Sequence, residues 1–449
     1  MAGNERLDFD ALALLVVPLD SPRAERDYLR WHRWDEAYGQ ACGLDSNEGF
    51  AHQVSPFKRY PVNEWHYFNA HVERLLFPRA EDQGERWICC PEDLYLCASR
   101  ERDEPKHRAR IDLLECLTIP RRADCAFGLL HLSLEPDELG QEDHPLWWAA
   151  AIRSPFRHST VERPHLELRH GDAGTELKGR RPLRDLVERT LGAPHQDLER
   201  RLYTAVMAPC PAGCDDAEDQ AHWRRTLARR GWTIRPEDRE LFDGDRERQQ
   251  TARFGRVTAL VRGEGAVLTQ TDPLTVNDAR NFRSYWSESL LTGLLQQDSL
   301  EHFQDRLAKI GSPVKPDIEH LYRAWLDFRN LIWWSQLSTS SAVPQELLFR
   351  FRAARGTERL FTDLEGDLAT YSAQRRSIVE GKQAVALLNL QVAGAAIAVL
   401  GPMLGIAAVI GLRGGILAIW LVVSLLVAIG AGVLVHWQLQ PREEPSDTA

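Results

Sequence analysis

The stretch CPAGCDDAEDQAH brings Cys210, Cys214 and His222 into one short segment of the chain. Two thiolates and an imidazole are zinc-type ligands, and His195 is available as a fourth. The gap between the cysteines is three residues and there is no second pair. The same stretch therefore also reads as a turn carrying two unreactive thiols, the default for such a loop. His158, His165 and His170, in RHSTVERPHLELRH, lie in a polar stretch and read as solvated side chains. Cys89-Cys90 reads as strand core, and the pairs Trp147-Trp148 and Trp333-Trp334 as core or subunit-contact residues. A phosphate-binding loop, a dinucleotide fingerprint, a paired-histidine metalloprotease helix and a nucleophile elbow are all missing. The expectation is a protein without catalytic residues or a bound cofactor, and not an enzyme.

The elements that would hold these residues follow from periodicity. In CAFGLLHLSLEP, Leu130, Leu132 and Leu134 alternate with His131 and Ser133, the pattern of a half-buried strand. ALALLVVPL, RWICCPEDLYLCA and ARIDLLECLTIP also read as strands, and RVTALVRGEGAVLTQT as a hairpin about Gly263-Glu264-Gly265. RPLRDLVERTLGA and DQAHWRRTLARRGW read as helices. The class expected for residues 1–275 is an α/β domain.

From residue 276 to 383 the pattern becomes helical, with breaks at GSPVKP and at Pro344. Its last helix starts near Thr357 and carries Phe361, Leu364, Leu368, Tyr371, Arg375, Ile378 and Lys382 at alternating spacings of three and four. That is a coiled-coil seam. Only Gly366 and Gly381 interrupt it, so one continuous stalk helix is expected to run on past Lys382.

Residues 383–412 and 414–435 contain no charged side chain, and Arg413 stands alone between them. A membrane-crossing helix needs about 20 apolar residues, so each run is long enough. The sequence thus predicts a transmembrane hairpin over 384–437, with spans at about 384–411 and 415–435 and an acidic tail at 438–449. Arg375, Arg376 and Lys382 precede the first span while Arg413 alone occupies the turn, which places both termini in the cytoplasm. The expected location is the inner (plasma) membrane, multi-pass. Gly394, Ala395, Ala398, Gly401, Gly405 and Ala408 suit close helix packing and predict a self-associating helix.

The 449-residue chain has a formal charge of −10, which argues against nucleic-acid binding through phosphates. MAGNERLDFD opens with acids and no apolar leader follows it, so no secretory signal is expected. Eight scattered cysteines fit a reducing compartment.

An α/β domain, a stalk helix leading into a first span, a tight turn and a second span together resemble the CorA family of pentameric divalent-cation channels. In that family a first-span proline is followed nine residues later by Gly-Met-Asn. Here Pro402 is followed by Gly411, Leu412 and Arg413, with Leu for Met and Arg for Asn. The resemblance implies a homopentamer with 411–413 at the pore mouth. It places Leu387, Leu390, Ala393, Ile397, Gly401, Leu404 and Ala408 along the pore. Arginine in place of the family's asparagine implies a channel or transporter whose divalent selectivity is altered or lost. The alternative is a membrane-tethered sensor or effector, of the kind used in antiviral systems, whose cytosolic domain binds a ligand or partner. Partners expected on either reading are the lipid bilayer, further copies of the chain, and an ion or small ligand.

Overall fold

A computed structural model describes residues 9–22, 31–33, 84–89, 94–99, 107–119, 122–135, 165–170, 174–178, 182–194, 202–211, 216–231, 250–310, 317–333, 336–338 and 342–409, with isolated positions elsewhere. Its chain divides into two compact units, residues 1–306 with 323–364, and residues 307–322 with 365–449.

The first unit is built on a thirteen-stranded sheet. Its strands are β1 (Ala11–Pro22), β2 (His32–Arg33), β3 (Arg86–Cys89), β4 (Leu94–Ser99), β5 (His107–Ile119), β6 (Arg122–Leu134), β7 (His165–His170), β8 (Gly174–Lys178), β9 (Gly192–Pro194), β10 (Tyr203–Pro209), β11 (Thr251–Phe254), β12 (Val257–Arg262) and β13 (Gly265–Gln270). The main path runs β11-β12-β13-β10-β1-β6-β5-β4-β7-β8, with β3 also pairing β5 and β9 pairing β1. All described pairings are antiparallel except β10 with β13. The β12–β13 hairpin closes with Arg262 opposite Gly265, where the GEG sequence predicts it.

Both faces of this sheet are covered, so its strands feed two apolar cores. On β1, Ala13, Leu15 and Val17 enter one core while Leu12, Leu14 and Val16 enter the other. The first core is closed by α1 (Pro182–Thr190) and α2 (Ala217–Gly231), through residues such as Leu186 and Leu227. The second lies under α3 (Val276–Asn281), a π-helical turn (Phe282–Trp286), α4 (Ser287–Ile310) and α6 (Ala342–Arg355). Close approach is enforced on each side by a glycine. A Cβ on Gly128 of β6 would sit 2.8 Å from Leu191, and one on Gly293 of α4 would sit 2.5 Å from the Phe351 ring.

Between α4 and α6 lies α5 (Asp317–Leu331), and α6 is followed by α7 (Thr357–Val409). Within the first unit, Phe361 of α7 stacks on Trp333 with centroids 4.2 Å apart and planes 5° from parallel. Trp325 lies 5.0 Å from the same ring. On the other side of Trp333 the Arg352 guanidinium packs 4.2 Å from its centroid. Burial, partly offset by Glu358, lowers the pKa of Arg352 to about 10. In the second unit, Ile318, Leu321 and Leu368 are buried, and Arg375 reaches Glu319 at 3.8 Å.

The stalk helix is continuous, as its spacing predicts. It runs 53 residues, about 80 Å at 1.5 Å per residue, straight through Gly366, Gly381 and Pro402. The transmembrane hairpin is not found. Among the described residues no helix is long and apolar enough to cross a membrane. The stretch of α7 before residue 396 carries Arg375, Arg376, Glu380 and Lys382, then Gln383, Asn389 and Gln391 among its apolar residues. Of the second expected span only Ile419, Val422 and Val423 are described, each of them exposed, and the rest lies outside the described residues. The multi-pass membrane location and the membrane and ion-transport reading built on that hairpin lose their basis with it.

Candidate functional site

Two backbone irregularities meet on the second face of the sheet. The first is in β5. Ile111 is opposite Leu132 and Leu113 is opposite His131, so Asp112 is an extra residue, a β-bulge. The bulge reverses the strand's alternation. Ala109 and Ile111 enter the first core before it, but Leu114 and Cys116 do so after it. Asp112, Leu113, Glu115 and Leu117 are thereby brought to the second face. The other irregularity is the π-helical turn, in which Ser284 has φ −108° and ψ −108° inside an otherwise helical path. Single π-turns and bulges recur at functional sites because each re-aims a side chain that a regular element would send elsewhere.

Here each re-aimed side chain has a partner. Arg283 of the π-turn pairs with Asp112 of the bulge, and the same nitrogen contacts the Ser133 hydroxyl on β6. Ser133 in turn donates to Asp112, and Arg110 Nε donates to its other oxygen at 2.7 Å. Burial opposes the charge of Arg110, but Asp112 beside it outweighs that and raises its pKa.

One turn further along α4, Glu288 is completely buried. Arg86 of β3 grips it in a two-pronged pair, Nη2 to Oε1 at 2.7 Å and Nη1 to Oε2 at 3.2 Å. Arg86 Nε donates to Glu115 Oε2 at 2.7 Å, Nη2 contacts the same oxygen, and Nη1 reaches the Leu76 carbonyl at 2.8 Å. The remaining oxygen of Glu115 lies 2.9 Å from His131 Nε2. Arg86, Glu115, Glu288 and His131 are each at most 2 % exposed. Forked arginine–carboxylate geometry is the strongest side-chain pairing available, and burial on this scale requires it.

Hydroxyls line the same helix. Ser287 donates to the Ser284 carbonyl at 2.8 Å, Ser289 to Tyr285 at 2.5 Å and Thr292 to Glu288 at 2.8 Å. Gln296 extends the row, accepting from Arg352 at 3.0 Å and donating to the Ile332 carbonyl at 2.8 Å. The arrangement fixes a charged helix to a sheet and can hold a proton between Glu115 and His131. Its carboxylates are enclosed rather than presented to a substrate.

The residues singled out by sequence lie elsewhere. Cys210 and Cys214 are partly buried at the end of β10, beside the first core, and His222 is exposed on α2. The Cys210 thiol is pushed up by burial and by Cys214, against a smaller opposite influence of Arg224 and Thr269. Among the described residues no three His, Cys, Asp or Glu side chains are arranged to hold a metal ion. His165 and His170 begin and end β7, and His158 and His195 lie outside the described residues. Leu387, Leu390, Ala393, Ile397 and Gly401 are exposed on α7. Leu404 and Ala408 belong to its backbone, and Gly411, Leu412 and Arg413 lie outside the described residues. His131 and Ser133 carry the one signal for the observed site, as polar residues punctuating an apolar strand.

No protein-family model matches the chain, and no curated protein matches it. The CorA resemblance therefore stands on its sequence features alone.

Proposed function

We propose that the chain is a self-associating sensor or effector. Its α/β body receives a ligand or partner, and α7 joins copies of the chain. The observation that carries this reading is the exposed apolar surface of α7. Leu387, Leu390 and Ile397 are 63 %, 72 % and 70 % exposed, with Val385 at 53 %. A helix apolar on several faces is stable in water only when covered. The seam that begins at Phe361 has heptad spacing, which favours another helix of the same kind as the cover. Gly394, Gly401 and Gly405 support it. Among the described residues, a side chain added at any of them would meet nothing within 4 Å. Each glycine costs a helix about 1 kcal/mol relative to alanine, a cost with no return among those residues. Close approach of a second backbone supplies the return.

The test is mass by light scattering over a hundredfold concentration range, for the wild type and for Leu387→Glu with Leu390→Glu. The expected result is a wild-type oligomer that the charged variant converts to monomer with an unchanged circular dichroism spectrum of the body. A wild-type monomer throughout would overturn the reading.

A further inference from the structure

Among the described cysteines, Cys89, Cys97 and Cys116 are buried in the sheet, whereas Cys210 and Cys214 are each partly exposed. Both lie against the first core, where β10 ends and α2 is about to begin. The backbone folds them toward each other. Cys210 N–H donates to the Gln270 carbonyl at 2.7 Å, which continues the β10–β13 pairing past Pro209. Cys214 N–H donates to the Pro211 carbonyl at 3.2 Å, the bond of a tight turn that opens directly after Cys210. A disulfide needs Cα atoms roughly 4.4–6.8 Å apart, and a turn of four residues spans less than about 7 Å. Burial and then the charge of Cys214 raise the pKa of Cys210, so the two sulfurs lie within reach of each other's field.

The same segment anchors α2, the helix that helps to close the first core. Gln220, in its first turn, donates to the Cys214 carbonyl at 3.4 Å. Asp216 accepts from the N–H groups of Glu218 and Asp219 at 2.8 and 2.7 Å. One turn on, Arg224 donates to the Thr269 hydroxyl at 3.3 Å, beside Cys210. A bond between the two sulfurs would therefore act on the start of this helix.

We propose that Cys210 and Cys214 are a redox-active dithiol, which a low-molecular-weight disulfide converts to an internal disulfide that fixes the start of α2 to the end of β10. In a reducing compartment such a pair rests as two thiols and closes under oxidation. The Cys214 thiolate attacks one sulfur of the small disulfide and expels the other half as a thiolate, leaving a mixed disulfide on Cys214. Cys210 then loses its proton to solvent and attacks the Cys214 sulfur. The bond to the small molecule breaks, and a second small thiolate leaves. Two protein thiols are oxidised, one small disulfide is reduced to two thiols, and the protons released by the protein end on those thiols. Cys210 acts second because burial holds it as a thiol, and only the thiolate attacks.

The test equilibrates the full-length protein with mixtures of oxidised and reduced glutathione, traps it with acid, and alkylates the remaining thiols after denaturation. Trypsin releases residues 202–224 as one peptide that holds Cys210 and Cys214 and no other cysteine. At oxidising ratios this peptide is expected to be unalkylated and lighter by two hydrogen atoms, while Cys89 stays reduced. Its equilibrium constant is expected to be at least tenfold larger in the folded protein than in urea, a difference of about 30 mV. Hydrogen exchange over the first turns of α2 should slow at least threefold on oxidation. Cys210→Ser should accumulate one glutathione on Cys214, and Cys214→Ser should react at least tenfold more slowly. A peptide that stays doubly alkylated, an equal constant in urea, α2 exchange unchanged by oxidation, or the reverse behaviour of the two serine variants overturns the proposal.

Discussion

Glycines in the sheet body and glycines in α7 sit in opposite circumstances. Gly128 and Gly293 are where they are because Leu191 and Phe351 leave no room for a Cβ. Among the described residues, nothing lies within 4 Å of a Cβ built at Gly366, Gly381, Gly394, Gly401 or Gly405. Charge and apolar surface divide in the same way. The body encloses Arg86, Glu115 and Glu288, while α7 exposes Leu387, Leu390 and Ile397. Among the described residues, the tight glycines and the buried carboxylates of the body meet partners within one copy of the chain. The glycines and exposed apolar side chains of α7 are the part that the body's own packing does not explain.

The largest test of this contrast removes the cation at the centre of the body. Arg86→Met leaves Glu115 and Glu288 enclosed without it and should cost about 3–5 kcal/mol in urea unfolding. A loss under about 1 kcal/mol would mean that the network is not closed in solution. Next, Gly293→Ala should destabilise the body by roughly 1–3 kcal/mol through overpacking against Phe351. Gly401→Ala should leave the body's unfolding midpoint unchanged and weaken self-association. Identical responses from the two glycines would erase the distinction between the regions.

A smaller effect is expected at the entrance to α3. Burial opposes ionisation of Asp278, but bonds from Arg256, from the Thr275 hydroxyl and backbone, and from Gln270 outweigh it and lower its pKa. A lowered carboxyl contributes stability above its unfolded-state value, near 3.9, and that stability is lost as pH falls through the folded-state value. Asp278→Asn should therefore cost about 1 kcal/mol at pH 7 and progressively less in acid. If the difference from wild type is constant from pH 7 to pH 3, the ionised Asp278 carboxylate is not the source. The smallest expected signal is chemical. Burial raises the Cys89 thiol pKa to about 12, so it should resist alkylation at pH 8 until the protein is unfolded.

Much of the element order was legible because it is local. The β6 alternation, the GEG turn and the seam from Phe361 to Lys382 each determine structure over a few residues. The site was not legible, because its pairs are remote. Arg86 and Glu288 are 202 residues apart. The period-two pattern of His131 and Ser133 suggests a solvent-facing side, yet each is only 1 % exposed. Alternation reports which residues share a face, and says nothing of what covers that face. Neither the bulge nor the π-turn is written in residue type either: Asp112 sits in an ordinary strand sequence, and FRSYW has the composition of an ordinary amphipathic turn. The membrane hairpin failed for a related reason. Charge-free runs measure hydrophobic length alone, and among the described residues no helix meets the requirement for crossing a bilayer.

The bulge at Asp112 also bears on how this molecule tolerates change. It is a single inserted residue with no partner of its own on β6, and it sets which β6 residue each later residue of β5 meets. Deleting Asp112 removes the partner of Arg283 and leaves a regular ladder, with Leu113 still opposite His131 and Glu115 still opposite Leu129. The change that exchanges the two sides is loss of the bulge with the residue kept. Asp112 paired regularly with His131 would send Glu115 toward the apolar layer of Leu130 and Leu186, with Leu114 turned to meet Arg86. The bulge, more than the identity of the residue in it, is what this part of the chain has to preserve.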